Sequence, residues 1–268
     1  MVLVIGQNSV WQNTYQLPKL QMGKVNRASC VYRSAAGKGT NLARGLIQLG
    51  LECRLLAYAG GALGEKFADA VADDGIPSTI IRIETETRMC TTLVPDGGEA
   101  TELVEPAPAV NRLEREEFRL SFDHYLQDAG LLTIAGTAMT GEPDSCYLEQ
   151  VNQAKKAGIP VFLDSYRSHG KAALRAAPEV LKINAEELAD LPGRETNSSS
   201  KRAEACKQIR DSYRVKWLII TLGRNGAEAF AAERGLACAA PSVTAINPIG
   251  SGDVFSAGVV ASIADNQN

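Results

Sequence analysis

The segment Asn247-Pro-Ile-Gly-Ser-Gly-Asp253 runs directly into the apolar stretch Val254–Val260. Gly250 and Gly252 let the backbone turn tightly before a helix. A helix start presents unpaired N–H groups and the positive end of a dipole. A turn of this kind, Gly250-Ser251-Gly252, suits an anion, and in particular the charge that develops on a phosphoryl group in transfer. Asp253 beside it can accept the proton of an attacking hydroxyl. A second glycine-rich helix entry is Ala35-Ala-Gly-Lys-Gly-Thr-Asn41. Lys38 offers a point charge for a substrate phosphate, and Asn41 carries both the donor and the acceptor that hydroxyl recognition requires. Each segment also has a plainer account: Asp253 as a helix cap, and Lys38 as a solvated lysine in a connecting loop. The second segment is not a P-loop, because the G-x-x-x-x-G-K-[ST] spacing is absent. It is not a dinucleotide fingerprint either, because no G-x-G-x-x-G follows the first strand.

The elements that must position these turns follow from the apolar pattern. Short, nearly continuous apolar runs at Val2–Ile5, Cys53–Ala59, Leu131–Ala135, Val161–Asp164, Val180–Ile183 and Trp217–Thr221 read as buried strands. Between them, Thr40–Leu49, Glu65–Asp74, Leu113–Tyr125, Asp144–Ala157, Lys201–Ser212 and Asp253–Ala264 read as helices. That alternation predicts a parallel sheet covered on both faces. Tyr15–Tyr32 and Thr79–Glu105 break the rhythm. Ala28–Tyr32, Arg88–Pro95 and Ala100–Glu105 alternate, with a turn at Asp96-Gly97-Gly98. They are expected to pair into a small antiparallel sheet that serves as a lid and as a dimer contact. The lid strands are placed at about residues 13–33 and 79–106, inserted in a single α/β domain spanning 1–268. Gly193–Ser200 reads as a polar loop. The chain ends soon after the Asp253 helix, which suggests a shortened C-terminus.

Composition narrows the partners. The chain has 268 residues and a net charge of −3, with hydrophobic residues at 45% and charged residues at 22%. A core is affordable, and a nucleic-acid or anionic-membrane footprint is not indicated. The start, Met1–Gly6, reads as a core strand, not a signal peptide, and no apolar run reaches the ~18 residues of a membrane span. Six cysteines without a C-x-x-C pair, and two histidines, point away from zinc and toward a reducing, cytoplasmic setting.

Taken together, the two glycine turns resemble the signatures of the PfkB/ribokinase family of carbohydrate kinases: Gly37-Lys-Gly-Thr-Asn41 the first, Gly250-Ser-Gly-Asp253 the second. Gly60-Gly-Ala-Leu-Gly64, Lys182-Ile-Asn-Ala-Glu-Glu187 and Thr221-Leu-Gly-Arg-Asn-Gly226 are similar to further family elements. Met22–Ala28, Thr87–Cys90 and Thr101–Pro106 look like the 1-phosphofructokinase and tagatose-6-phosphate kinase branch. The resemblance implies a ribokinase-like three-layer α/β/α fold with a mostly parallel central sheet and a small β-sheet lid. It implies transfer of a phosphoryl group from Mg2+-ATP to a hydroxyl of a sugar or sugar phosphate, with Asp253 as base. It would place Gln12, Gly37, Lys38 and Asn41 at the acceptor, with Lys38, Arg88 and Arg27 on an existing phosphate. Asn184, Thr221, Gly223 and Gly226 would line the nucleotide, and Asn184 with Glu187 would order the metal through water.

The family pattern is altered at several acceptor-side positions. Asn8-Ser-Val-Trp-Gln12 stands where N-P-A-x-D is usual, so an uncharged Gln12 replaces a carboxylate. Ala36 stands where a glycine is usual, which is tolerable only at negative φ. Ala135–Gly141 also departs from the usual S-G-S-x-P-x-G. The base and its turn are intact. The leading expectation is a kinase of a phosphorylated ketohexose. The alternatives are a kinase of an unphosphorylated sugar or nucleoside, and a non-catalytic binder of sugar phosphate or nucleotide.

Overall fold

The strand at Val2–Asn8 (β1) is buried along its whole length. Its side chains alternate between two cores: Leu3 and Ile5 join one, Val2 and Val4 the other. A strand buried on both faces must lie inside a sheet with layers above and below. The computed structural model describes residues 1–189, 198–232, 234–243 and 247–265. After β1 come Val10–Leu17 (β2), Cys30–Ala36 (β3), Lys38–Gln48 (α1), Cys53–Gly60 (β4) and Gly61–Asp73 (α2). Next are Ser78–Ile83 (β5), Arg88–Pro95 (β6), Thr101–Val104 (β7), Arg112–Leu126 (α3), Leu131–Ala135 (β8) and Cys146–Lys156 (α4). Then follow Val161–Asp164 (β9), Ser168–Ala173 (α5), Val180–Asn184 (β10), Ala185–Ala189 (α6) and Ser199–Tyr213 (α7). The last are Trp217–Thr221 (β11), Ala227–Phe230 (β12), Gly235–Cys238 (β13) and Ser251–Asp265 (α8).

The large sheet has the order β13-β12-β11-β10-β9-β8-β1-β4-β5. It is parallel from β5 to β11 and ends in the antiparallel pair β12–β13. One face is covered by Phe118 and Phe122 of α3, Tyr147 and Val151 of α4, and Cys206 and Ile209 of α7. The other is covered by Leu42 and Leu46 of α1, Phe67 and Val71 of α2, and Ala257 and Val260 of α8. This is the three-layer α/β/α fold that the strand–helix alternation implies.

A second sheet has the order β3-β2-β6-β7, with β2–β6 parallel and the other two pairs antiparallel. Two expectations about it need correction. Ser78–Ile83 was placed in the small sheet, yet it pairs in parallel with β4 in the large one. Helix α2 supplies the crossover that such a parallel pair needs, and Ile81 and Ile83 are buried there. The small sheet also begins earlier than expected, at Val10. Only Ser9 separates it from β1, so one chain segment serves both sheets. The β12–β13 hairpin was not anticipated, because four-residue strands with exposed positions such as Leu236 give no continuous apolar run. The expected loop at Gly193–Ser200 lies outside the described residues up to 197. Ser198 caps α7 by accepting a hydrogen bond from the Lys201 N–H. Among the described residues, no helix is long and apolar enough to cross a membrane.

Candidate active site

Two glycine contacts let the helix entries converge. Gly39, in the first turn of α1, lies so close to β1 that a Cβ there would collide with Gly6 Cα. Six residues further along, Gly45 packs on α8, where a Cβ would come 2.7 Å from the Ala257 methyl. Gly37 and Gly250 take φ of +113° and +85°, a region that favours glycine. The result joins positions 212 apart in sequence: Asn41 Nδ2 donates to Asp253 Oδ2 at 2.8 Å. Asn41 was expected to read a substrate hydroxyl. Its amide bridges Asp253 and Arg44, whose Nη1 donates to Asn41 Oδ1 at 3.0 Å. In the Gly250-Ser251-Gly252 turn, the amides of Ser251 and Asp253 donate to the Pro248 and Gly250 carbonyls. The exposed Ser251 hydroxyl also donates to Pro248 O, at 2.7 Å.

A charged cluster lies behind this contact. Asp164, 1% exposed at the end of β9, accepts from Lys38 Nζ at 3.0 Å and from Lys182 Nζ at 3.0 Å. Ser256 Oγ, one turn into α8, is 2.8 Å from Asp164 Oδ2. Lys38 also stands 3.5 Å from Glu187 Oε1. Lys38 thus reaches the ends of β9 and β10, and its ion pairs are with carboxylates of the protein.

Burial is the largest influence on each pKa here; it sets the direction for Asp253, and charged neighbours reverse it for Asp164 and Lys38. Burial pushes Asp253 up, Asn41's donated hydrogen bond opposes it, and Asp164 pushes up against Lys38 and Lys182. The net value is about 6, from an ordinary 3.8. Burial also pushes Asp164 up, but the two lysines outweigh it and hold it below the usual range. Burial alone would lower Lys38, and Asp164 and Glu187 reverse that and raise it. The cluster is therefore one buried anion held by two lysines, with a second carboxyl beside it raised toward neutrality by burial.

The nucleotide-side residues expected from sequence lie along the same sheet edge. Asn184 and Thr221 are direct neighbours in the parallel β10–β11 register. Gly223 and Gly226 have φ of +58° and +92° in the turn that leads into β12. Asn184 and Glu187 bond reciprocally: the Glu187 N–H donates to Asn184 Oδ1 at 2.7 Å, and the Asn184 N–H to Glu187 Oε2 at 2.9 Å. This is a capping box on α6. For a divalent cation, the donors fit only partly. Both Asp164 oxygens are taken, and no group of three His, Cys, Asp or Glu forms a metal cage among the described residues. Glu187, with one oxygen toward Lys38, fits a hydrated magnesium ion that carries its own waters.

The acceptor-side residues are less tightly held. Gln12 lies on β2, and its Nε2 donates to Thr92 Oγ1 at 2.9 Å. Arg88, at the start of β6, donates to the Glu105 carbonyl at 3.2 Å, and its Nε is buried with no partner among the described residues. Burial lowers its pKa, and the nearby charge of Arg167 acts the same way against Glu102 and Glu105. Arg27 is exposed in the connection between β2 and β3. Ala36 closes β3 with φ outside the positive region, so its methyl is accommodated. A separate cavity of about 240 Å³ beside Gly60, Gly64 and Arg82 contains none of these residues.

Arg44, Asp164, Lys182, Arg167 and Ser256 were not singled out from sequence. Asp164 and Lys182 gave one usable signal: each is a charge in or ending a buried apolar strand at the carboxyl edge of a parallel sheet, where such folds bind ligands. Arg44 gave none, being one more polar position on an amphipathic helix.

The model of the pfkB family of carbohydrate kinases matches residues 1–268. The tagatose-6-phosphate kinase of Staphylococcus epidermidis is 28% identical over 269 residues, covering 100% of this chain and 86% of that protein. Phosphofructokinase-2 from Escherichia coli, solved in complex with substrates and products, superposes with a TM-score of 0.89 at 24% identity. The match covers 99% of this chain and 87% of that one. The same enzyme in complex with fructose-6-phosphate gives a TM-score of 0.85. With a match along its entire length, this chain belongs to the pfkB family of carbohydrate kinases.

Proposed function

We propose that this kinase transfers the γ-phosphoryl group of ATP to a hydroxyl of a phosphorylated ketohexose, with Asp253 as the general base. The observation that carries the reading is the Asn41–Asp253 hydrogen bond, which brings the two glycine turns together around a carboxyl whose pKa is near 6. The acceptor hydroxyl gives its proton to Asp253 as its oxygen bonds to the γ-phosphorus. The bond from that phosphorus to the β,γ-bridging oxygen breaks, and ADP leaves with the electron pair. The Gly250–Gly252 turn and Lys38 face the charge spread over the equatorial oxygens. Asn184, Thr221, Gly223 and Gly226 line the nucleotide. Asn184 and Glu187 would hold a magnesium ion through its waters, and the ion would supply neutralisation of phosphate charge.

Arg88 supports a phosphorylated acceptor. A half-buried guanidinium with a free Nε and a second arginine nearby suits a dianionic group. The name of the tagatose-6-phosphate kinase relative agrees with this reading. The test is an ADP-release screen against sugars and their phosphates. Turnover with a ketohexose phosphate, well above that with the free sugar, is expected. Equal turnover with free sugars would favour the alternative acceptor, and binding without ADP release would favour a silent homologue.

The small sheet serves as lid and as dimer contact in this reading. Tyr32, Leu103 and Val104 on it, and Met22 and Val25 in the β2–β3 connection, expose apolar surface that a second copy would cover. Sedimentation should give twice the chain mass. A monomer at micromolar concentration would remove the dimer. Six free cysteines suit a reducing, cytoplasmic setting.

A further inference from the structure

We propose that Arg44 is a positioning residue for the base, holding the Asn41 amide so that its NH2, and not its carbonyl, faces Asp253. This rests on the assignment of Asp253 as the base. An amide side chain can present either end to a carboxylate, and only one end is attractive. Arg44 can only donate, so its Nη1, 3.0 Å from Asn41 Oδ1, selects the orientation in which Nδ2 reaches Asp253 Oδ2 at 2.8 Å. Arg44 is itself held from two other elements. Its Nη2 donates to the Ala35 carbonyl of β3 at 2.7 Å, and its Nε and Nη2 donate to Asp74 at the end of α2 at 3.0 and 2.7 Å. The guanidinium therefore ties the small sheet, α2 and the base into one hydrogen-bonded chain. Removing it would leave Asn41 free to swing or flip, with no other bond to its carbonyl oxygen among the described residues.

The consequence for proton transfer has a definite sign. Asp253 is faced by Asn41 and Lys38 from α1, by Asp164 from β9 and by Lys182 from β10. Asn41's donation favours the ionised carboxylate. Its loss leaves burial and Asp164 opposed by the two lysines alone, so the carboxyl holds its proton to higher pH. A base works only when ionised, so the acid limb of kcat moves to higher pH as well.

The experiment compares wild type, Arg44→Met and Arg44→Lys. It measures kcat and KM against pH with the best sugar phosphate from the ADP-release screen. It also follows the Asp253 carboxyl titration by 13C NMR, with the signal assigned from Asp253→Asn. Arg44→Met is expected to lower kcat about tenfold near pH 6.5 with both KM values within about twofold, and to move the titration upward. Arg44→Lys, which restores a cationic donor, is expected to recover part of each effect, and it serves as the test if the methionine variant does not fold. An Asp253 titration unchanged in Arg44→Met overturns the proposal, as does a loss that falls on KM with kcat intact. If the wild type transfers phosphate to no sugar phosphate, the functional reading fails, while the titration still judges the role of Arg44.

Discussion

On the α1–α8 side of the site, the two aspartates are buried and bonded to the protein. Asp253 is 8% exposed and bonded to Asn41, and Asp164 is 1% exposed and holds two lysines and a serine. On the small-sheet side, Gln12 and Arg88 are half-buried, Arg88 keeps a free Nε, and Arg27 faces solvent. The first arrangement is finished before any ligand arrives, as electrostatic catalysis demands. The second leaves donors to be satisfied by whatever binds. Departures from the family pattern, at Gln12 and Ala36, fall on the second side. In the proposed function, a closed network would then hold the chemistry constant, and specificity would be left to groups that can be exchanged without unfolding it.

The sharpest way to break this comparison is Asp253→Asn. It should lower kcat about 10³-fold while leaving acceptor affinity close to wild type. In the wild type, kcat should fall on the acid side with a midpoint near the value of about 6 assigned to Asp253. The same shift has a stability side. A carboxyl raised on folding contributes stability below its unfolded value of 3.8, and loses that contribution as pH rises through about 6. Asp253→Asn should therefore melt no lower than wild type at pH 8. A melting point clearly lower there would mean that the carboxylate holds the fold together.

The next largest effect tests the other side. Arg88→Met should raise the KM for a phosphorylated acceptor by about 10- to 100-fold, with kcat little changed. An unchanged KM would take Arg88 out of the acceptor site. The smallest effects come from two capping boxes of one design. Asn111 and Glu114 close α3 with the same reciprocal bonds that Asn184 and Glu187 make on α6. The second oxygen of Glu114 accepts the Glu84 N–H, whereas that of Glu187 faces Lys38. Glu114→Gln should cost about 1 kcal/mol of stability and leave kcat alone. Glu187→Gln should lower kcat about tenfold with a similar stability cost. Equal kinetic effects would erase the distinction between the two boxes.

These boxes also show what a sequence can convey. Asn-x-x-Glu reads as a helix start wherever it occurs, and only the placement of α6 at the strand ends gives one copy a charged neighbour. The core strands were legible because burial on both faces writes long apolar runs, and β8, β9 and β11 fall where those runs do. β5 was misplaced because a six-residue strand, read alone, carries no mark of which sheet it joins. The glycine turns were legible because positive φ restricts residue type. Asp164, Lys182 and Arg44 were not, because their meaning lies in partners far away in the chain, and a single charge on a strand or helix does not name its partner.

Gly45 and Ala257 sit one turn beyond Asn41 and Asp253 on their respective helices. The seam between α1 and α8 is therefore only as thick as one hydrogen atom and one methyl at the level just below the Asn41–Asp253 contact. A second methyl at position 45 would press on its neighbour at 2.7 Å and force the helices apart, and the 2.8 Å amide–carboxylate contact would lengthen with them. A purely nonpolar change would in this way shift the titration of a carboxyl it never touches. The gauge of an oily joint sets how closely an amide and a buried carboxyl are held.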